Sequence, residues 1–328
     1  MHMKLRKKNK KKKYFFLFLM VIYFSSFFLT IKLHFSNKDH SKFIRYLLEN
    51  NSNYIKKKED KRIVTKVVSY IANVDFKNPI TLINNNYKIS ASNKSSSDED
   101  KDISDLPVNN HIEDPYPEKE IDKPIVYLYN THQREEYALS NNEVYNIKPT
   151  VMTLSYILRE KLNRNNIPTI VEENDVLDVL RINNWNYAAS YKVTRMMLDS
   201  AKENNSTLKY FIDLHRDSIS KKASTITIND INYAKILFIV GLENPNYEVN
   251  LALTEKINNM INNKYPNLSR GIYKKQGKGV NGVYNQDFDK NTILIEVGGE
   301  ENTIDEVYNT AEVISEILTE YIRNDQNG

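Results

Sequence analysis

Apolar positions along the chain fall into three patterns. From Tyr14 to Ile31 they form one run without a charge, YFFLFLMVIYFSSFFLTI. Between His40 and Ser90 they recur at helical spacing, first as Ile44, Leu47 and Leu48, then as Val64, Val67 and Val68. From Pro124 onward short apolar runs alternate with helical stripes. The runs Ile125–Tyr129, Thr169–Val171, Tyr210–Leu214, Ala234–Val240 and Thr292–Val297 predict strands. Ile147, Val151, Leu154, Leu158 and Leu162 predict one helix, and Leu253, Ile257, Met260 and Ile261 another. A last helix opens on Thr303 and Glu306 in capping-box spacing and continues through Ile304, Val307, Ala311, Ile314 and Leu318. Thr225–Ile228 and Ile231–Tyr233, joined at Asn229-Asp230, predict a hairpin. Strands separated by helices predict an α/β domain, a mostly parallel sheet with helices on both faces. Such a sheet receives ligands beyond the carboxyl ends of its strands.

The uncharged run is 18 residues long. At about 1.5 Å per residue it just spans a hydrocarbon core of about 30 Å. Residues 1–13 before it carry eight basic side chains, Lys4, Arg6, Lys7, Lys8 and Lys10 to Lys13, which places that end in the cytoplasm. The run ends in Thr30, Ile31, Lys32, Leu33 and His34, without the small-x-small site of a cleaved signal peptide. The expectation is therefore an uncleaved, single-pass signal anchor at 14–31, with everything beyond it on the outer side of the cell membrane. A cleaved signal peptide is the competing reading. Residues 40–90 then form a small, mostly helical region: a stalk, a partner-binding piece or a small domain. Residues 91–123 contain SNKSSSDEDKD and Pro107, Pro115 and Pro117 with few large apolar side chains, the composition of a disordered linker. Residues 124–328 are the expected catalytic domain.

Composition narrows the chemistry. The 328 residues hold no cysteine, which excludes disulfides, thiolate metal sites and a cysteine nucleophile. The net charge of +4 belongs to the leader. Without residues 1–31 the chain has 38 basic against 42 acidic residues, a net of −4. A nucleic-acid-binding body needs a basic patch of its own, so that class of partner is not expected.

Of six histidines only His132 and His215 fall in the α/β domain, and each follows a predicted strand, in IVYLYNTH and KYFIDLH. Parallel neighbouring strands would bring both imidazoles to one sheet edge. Glu135 stands three residues after His132 in THQRE. A His-x-x-Glu turn offers one nitrogen and one oxygen to a single ion. With His215 the set becomes two nitrogens and one oxygen, that of a catalytic zinc with an open position for water. Glu136 offers the same carboxylate one position on. Glu296 ends the strand TILIEVGG ahead of Gly298 and Gly299, where a carboxylate can move a proton for metal-activated water. Each piece has a plainer meaning by itself. A histidine after a strand is most often a hydrogen-bonding residue, and Glu296 can pair with a lysine or cap a turn. Their coincidence at one predicted edge favours a zinc hydrolase. Asp213, Arg216 and Asp217 flank His215. One carboxylate would orient a ligand, and Arg216 would hold a substrate carboxylate, or each forms a surface ion pair. Asn285, Gln286 and Asp287 lie in the Gly-rich stretch GKGVNGVYNQDFDKN, which lines a groove or merely connects.

YNTHQREEY, FIDLHRDS, GVYNQDF and ILIEVGGEENT, in this order, resemble the stage II sporulation protein P family of endospore-forming bacteria. The resemblance covers about residues 124–322, and no motif in 40–123 contributes to it. It implies a membrane-anchored peptidoglycan hydrolase with one zinc ion, an N-acetylmuramoyl-L-alanine amidase with endopeptidase activity on stem-peptide cross-links. It further implies action in forespore engulfment with stage II sporulation proteins D and M. Carried over by motif, His132, Glu135 and His215 are the metal ligands and Glu296 the catalytic carboxylate. Arg216, Asn285 and Gln286 are candidates for substrate binding. The His-x-x-Glu…His order is also similar to zinc carboxypeptidases. A wall-binding scaffold without catalysis is the non-enzymatic alternative.

Overall fold

A computed structural model describes residues 111–114, 120–139 and 148–327. The expected anchor at 14–31, the basic tail before it and the helical region at 40–90 lie outside the described residues. Among the described residues no helix is long and apolar enough to cross a membrane.

In chain order the elements are β1 (Val126–Tyr129), α1 (Val151–Arg164), β2 (Thr169–Val171), α2 (Val176–Ile182), a 3₁₀ turn (Tyr187–Ala189), α3 (Ser190–Asn204), β3 (Tyr210–Asp217), α4 (Lys221–Ser224), β4 (Thr225–Ile228), β5 (Ile231–Ala234), β6 (Ile236–Gly241), α5 (Tyr247–Lys264), β7 (Ser269–Lys275), β8 (Thr292–Gly299) and α6 (Ile304–Asn327). Six strands form one sheet in the order β2-β1-β3-β8-β6-β7, while β4 and β5 pair separately as the expected hairpin.

The first four of those strands are mutually parallel. β6 runs antiparallel to β8, and β7 is parallel to β6. The sheet is therefore mostly parallel, as expected, with four of its six strands in one direction, and mixed because β6 and β7 run against them. The chain moves outward from β1 to β2 and then back across to β3, so β1 and β3 flank a topological switch point. The crevice beyond the carboxyl ends of two such strands is where an open α/β sheet binds ligands.

Burial follows from this order. β1 is buried throughout, and so are the first six residues of β3, because central parallel strands are covered on both faces. Tyr127, Tyr129 and Phe211 on one face meet Leu198 and Ala201 of α3. The opposite face carries Leu128, Ile212 and Ile295, buried on the side of α1, α5 and α6. Asp213 is the exception in this apolar strand, a fully buried carboxylate that must be satisfied internally.

The helix ends keep their local logic. Thr150 caps α1, accepting from the backbone N–H of Met152, while Thr153 accepts from the N–H of Thr150. At α6 the expected capping box is present: Glu306 Oε2 accepts from the N–H of Thr303 at 2.9 Å and Thr303 Oγ1 from the N–H of Glu306 at 3.5 Å. The glycines after Glu296 are needed where they stand. Gly298 has φ +69°, and a Cβ there would come within 2.7 Å of Asn302 Oδ1.

Part of the stretch read as linker lies on the domain. Ile112 is buried, Tyr156 donates to its carbonyl at 3.3 Å, and Arg159 reaches both carboxylate oxygens of Asp114 at 2.5 and 2.6 Å. One isoleucine and one bidentate ion pair are too small a signal to stand out in a polar, proline-bearing segment.

Candidate metal centre

The turn after β1 faces two ways. Its outer side chains pin it to α2. Arg134 donates to both oxygens of Asp175 at 2.7 and 2.6 Å, and Gln133 Oε1 accepts from the N–H of Val176 at 2.8 Å. Asn130 anchors the inner side, donating to the Leu214 carbonyl at 2.6 Å and accepting from Ser155 at 2.7 Å. Held so, the turn presents His132 and Glu135 toward the end of β3.

There they meet His215. Ligand atoms of His132, Glu135 and His215 all lie within 4.8 Å of one another. His132 Nδ1 is 3.4 Å from Glu135 Oε1, and His215 Nδ1 is 3.4 Å from Glu135 Oε2. The two imidazoles stand 5.1 Å apart and perpendicular, and Tyr187 stacks on His132 at 5.1 Å. Glu136 points elsewhere, forming an ion pair with Lys148 at 3.1 Å. Glu135 is thus the carboxylate of the cluster.

Burial alone would make Glu135 hold its proton, but the two histidines keep its carboxyl well below the usual carboxylate range. Burial would likewise discharge His215. The carboxylates of Asp213 and Glu135 on either side outweigh it and push the imidazole well above its ordinary value. Two nitrogens and one oxygen converging in a buried spot suit a zinc ion with an open fourth position. His132 Nε2 is buried without a hydrogen-bond partner among the described residues, a second sign that the histidine pair is not a closed hydrogen-bonded unit.

Glu296 stands opposite His215 in the β3–β8 register, so both side chains leave the same face of the sheet. It is largely buried, and burial, with the negative charges of Glu135 and Asp217, pushes its carboxyl up to about 7 against the opposing pull of His215. A carboxyl that exchanges its proton near neutrality beside the His132, Glu135 and His215 side chains has the property of a general acid–base.

Asp213 supports the cluster from behind. Its Oδ1 lies 3.0 Å from His215 Nε2 and accepts from the N–H of Thr131 at 3.0 Å, while Oδ2 accepts from Thr131 Oγ1 at 2.7 Å. One carboxylate therefore sets the ring of His215 and the start of the turn that carries His132. Replacing Asp213 with Asn keeps the shape and removes the charge. Zinc affinity, measured by chelator competition, is expected to fall on the order of 10- to 100-fold while the folded spectrum is retained.

All three expected substrate-binding residues make hydrogen bonds within the fold. The backbone N–H of Arg216 donates to Glu135 Oε2 at 2.9 Å, and its guanidinium donates to the Glu136 carbonyl at 3.0 Å. Gln286 is fully buried between the Ile239 carbonyl and the N–H of Gly241. Asn285 donates to the Tyr191 carbonyl at 2.8 Å and to Thr194 Oγ1 at 3.0 Å. These bonds tie Arg216 to the turn that carries Glu135, and they tie the loop of Asn285 and Gln286 to α3 and β6. Sequence reasoning missed Asp213 as the specific orienting carboxylate and missed Tyr187 altogether. A charged residue inside an apolar strand is the signal for the first. Nothing local marks the second.

The stage II sporulation protein P family profile matches residues 41–319, reaching well upstream of the four motifs. Stage II sporulation protein P of Bacillus subtilis (strain 168) is 33% identical over 218 residues, covering 65% of this chain and 54% of the relative. The chain thus spans about half the length of that curated relative. Among solved structures, Cwp6 from Clostridium difficile is similar at 13% identity with a TM-score of 0.36, over 60% of this chain and 29% of its own. That likeness is too distant to bear on the site. The profile match, running through all four motifs that meet around the β1–β3 crevice, establishes that the chain belongs to the stage II sporulation protein P family.

Proposed function

We propose that the protein is a membrane-anchored, zinc-dependent peptidoglycan hydrolase of sporulation, cleaving the amide between N-acetylmuramic acid and L-alanine. Stem-peptide cross-links are a second class of substrate. The observation that carries this is the convergence of His132, Glu135 and His215 at the end of β3 with Glu296 in register beside them. Family membership supports the setting in sporulation. The charge pattern of residues 1–31 supports a cytoplasmic N-terminus, a single anchor and an extracytoplasmic catalytic domain. The proposed partners are stage II sporulation proteins D and M, with forespore engulfment as the process.

A zinc ion on the three ligands would supply a Lewis acid for the amide carbonyl and lower the pKa of an attacking water to about 7. Glu296 takes the proton of that water as it adds to the carbonyl carbon. The same carboxyl then delivers the proton to the L-alanine nitrogen as the carbon–nitrogen bond breaks. Asp213 and the pinned turn keep His215 and His132 in place through both steps.

The test is a digest of purified sacculi by the full chain, with and without a chelator, read by mass spectrometry. Glycan strands lacking stem peptides, lost with chelator and restored by zinc, are the expected products. Release of a single C-terminal residue would assign a carboxypeptidase instead. Sacculi left intact in the presence of zinc and of the partner proteins would remove the hydrolase reading.

A further inference from the structure

A row of side chains crosses the sheet at the level of the His132–Glu135–His215 cluster. His215 of β3 stands opposite Glu296 of β8, and Glu296 stands opposite Leu237 of β6. Directly opposed residues of an antiparallel pair project from the same face, with Cβ atoms about 5 Å apart. Leu237 is therefore the neighbour of Glu296 on the side away from the histidines.

The face beside this row is walled in both directions along the strands. On one side Leu294 and Ile239, each two residues from the row on the same face, are covered by Tyr191 and Tyr284, and Leu237 borders that cluster. Tyr191 also meets the edge of His132, with ring centres 5.6 Å apart. On the other side lies Arg270 of β7. Its neighbour Ser269 donates to Asn258 of α5 at 2.6 Å on the opposite face, so Arg270 leaves β7 on the face of Leu237. The Arg270 guanidinium reaches Asp217 Oδ2 at 2.6 Å, two residues past His215. β7 and β3 are three strand spacings apart, about 14 Å, so the arginine lies along the sheet face to get there.

Between these walls Leu237 is half-buried, an apolar floor with part of its surface open. The Arg270 and Asp217 side chains beside it are only 25% and 23% exposed, so the pair forms a fixed bar and not a loose surface contact. The result is a short apolar slot, bounded by a ring on one side and an ion pair on the other, next to the carboxyl of Glu296.

We propose that Leu237 holds the side chain of the residue whose nitrogen is released, the methyl group of L-alanine, and so sets a preference for a small apolar residue at that place. This assignment rests on the hydrolase function proposed for the site. In that reaction Glu296 delivers a proton to the departing nitrogen, which lies within about 3 Å of the carboxyl when it does so. The carbonyl half of the substrate turns to the His132–Glu135–His215 side, so the α-carbon borne by the nitrogen turns to the Leu237 side. A methyl group there rests on the leucine. A longer branch runs toward Tyr191 in one direction or Arg270 in the other.

The experiment uses the zinc-loaded full chain and three solubilised glycan-strand substrates that differ only in the first stem residue: glycine, L-alanine or L-leucine. The wild type is expected to favour L-alanine over glycine about tenfold in kcat/KM, the effect of one methyl group in an apolar pocket, and to favour it over L-leucine by at least as much. Leu237→Ala opens the slot and is expected to raise the L-leucine rate relative to L-alanine about tenfold. Leu237→Phe fills the slot and is expected to move the preference to glycine. Melting curves and zinc content confirm that each variant is folded and loaded. Equal rates on the three substrates in the wild type, or the wild-type order retained in both variants, overturns the assignment while leaving the hydrolase intact. Cleavage of none of them by the wild type overturns the hydrolase reading and this assignment with it.

Discussion

Glu296→Gln is expected to lower kcat by a factor on the order of 10² to 10⁴ while the protein still binds its metal. The change removes the one carboxyl that stands in register with His215 and exchanges its proton near neutrality. Glutamine is nearly isosteric, and no ligand atom of the His132–Glu135–His215 cluster is altered. The loss therefore isolates proton transfer from metal retention. The pH profile gives a second readout. A general base works ionised, and burial pushes Glu296 up to about 7, so kcat/KM should rise with pH along a limb at or below that value. A cation on the neighbouring cluster moves the limb downward, since it favours the ionised carboxylate. In Glu296→Gln the limb should vanish. Loss of bound zinc in this variant, with activity returned in full by excess zinc, would make Glu296 a ligand and not the base.

The second large effect belongs to His215. His215→Ala is expected to reduce bound zinc from about one ion per chain to near zero after dialysis and to leave only background hydrolysis. It takes one of the three proposed ligands and leaves Asp213, a fully buried carboxylate, without the imidazole it faces. The same residue controls how metal affinity depends on pH. In the metal-free site the flanking carboxylates of Asp213 and Glu135 overcome burial and hold a proton on His215 well above the ordinary imidazole range. An ion must displace that proton. Affinity should therefore rise about tenfold per pH unit through neutrality, and calorimetry in buffers of different ionisation enthalpy should show about one proton released per zinc. An affinity independent of pH between 6 and 8 would mean that the ring is already neutral and the flanking carboxylates are not acting as described.

These effects come from residues that were legible as candidates, but not equally so. The strands at 126–129, 169–171 and 292–299 and the capping box at Thr303 stand out because apolar runs and caps are local signals. Strand β7 carries Arg270, Gly271 and two lysines. It sits at the sheet edge, half-exposed, and has no apolar signature to read. Helices α2 and α3 are similarly hidden. The buried Ser190 and Thr194 of α3 serve hydrogen bonds around Tyr187 and Thr131, and so interrupt the stripe that periodicity looks for.

Residue type and spacing by themselves picked out His132, His215, Glu296 and one of the adjacent pair Glu135 and Glu136 as the candidates for chemistry. A strand end followed by histidine, a His-x-x-Glu turn and a carboxylate before two glycines are short-range facts that need no folded chain. Only the tertiary structure decided between Glu135 and Glu136, because the choice depends on how Gln133 and Arg134 pin the turn to α2 forty residues away. It also decided the internal hydrogen bonds of Asn285 and Gln286, which reach α3 and β6. Strand order, register and the direction of β6 and β7 set those outcomes. Each is a balance of long-range packing and hydrogen-bond satisfaction that no local stretch of sequence contains.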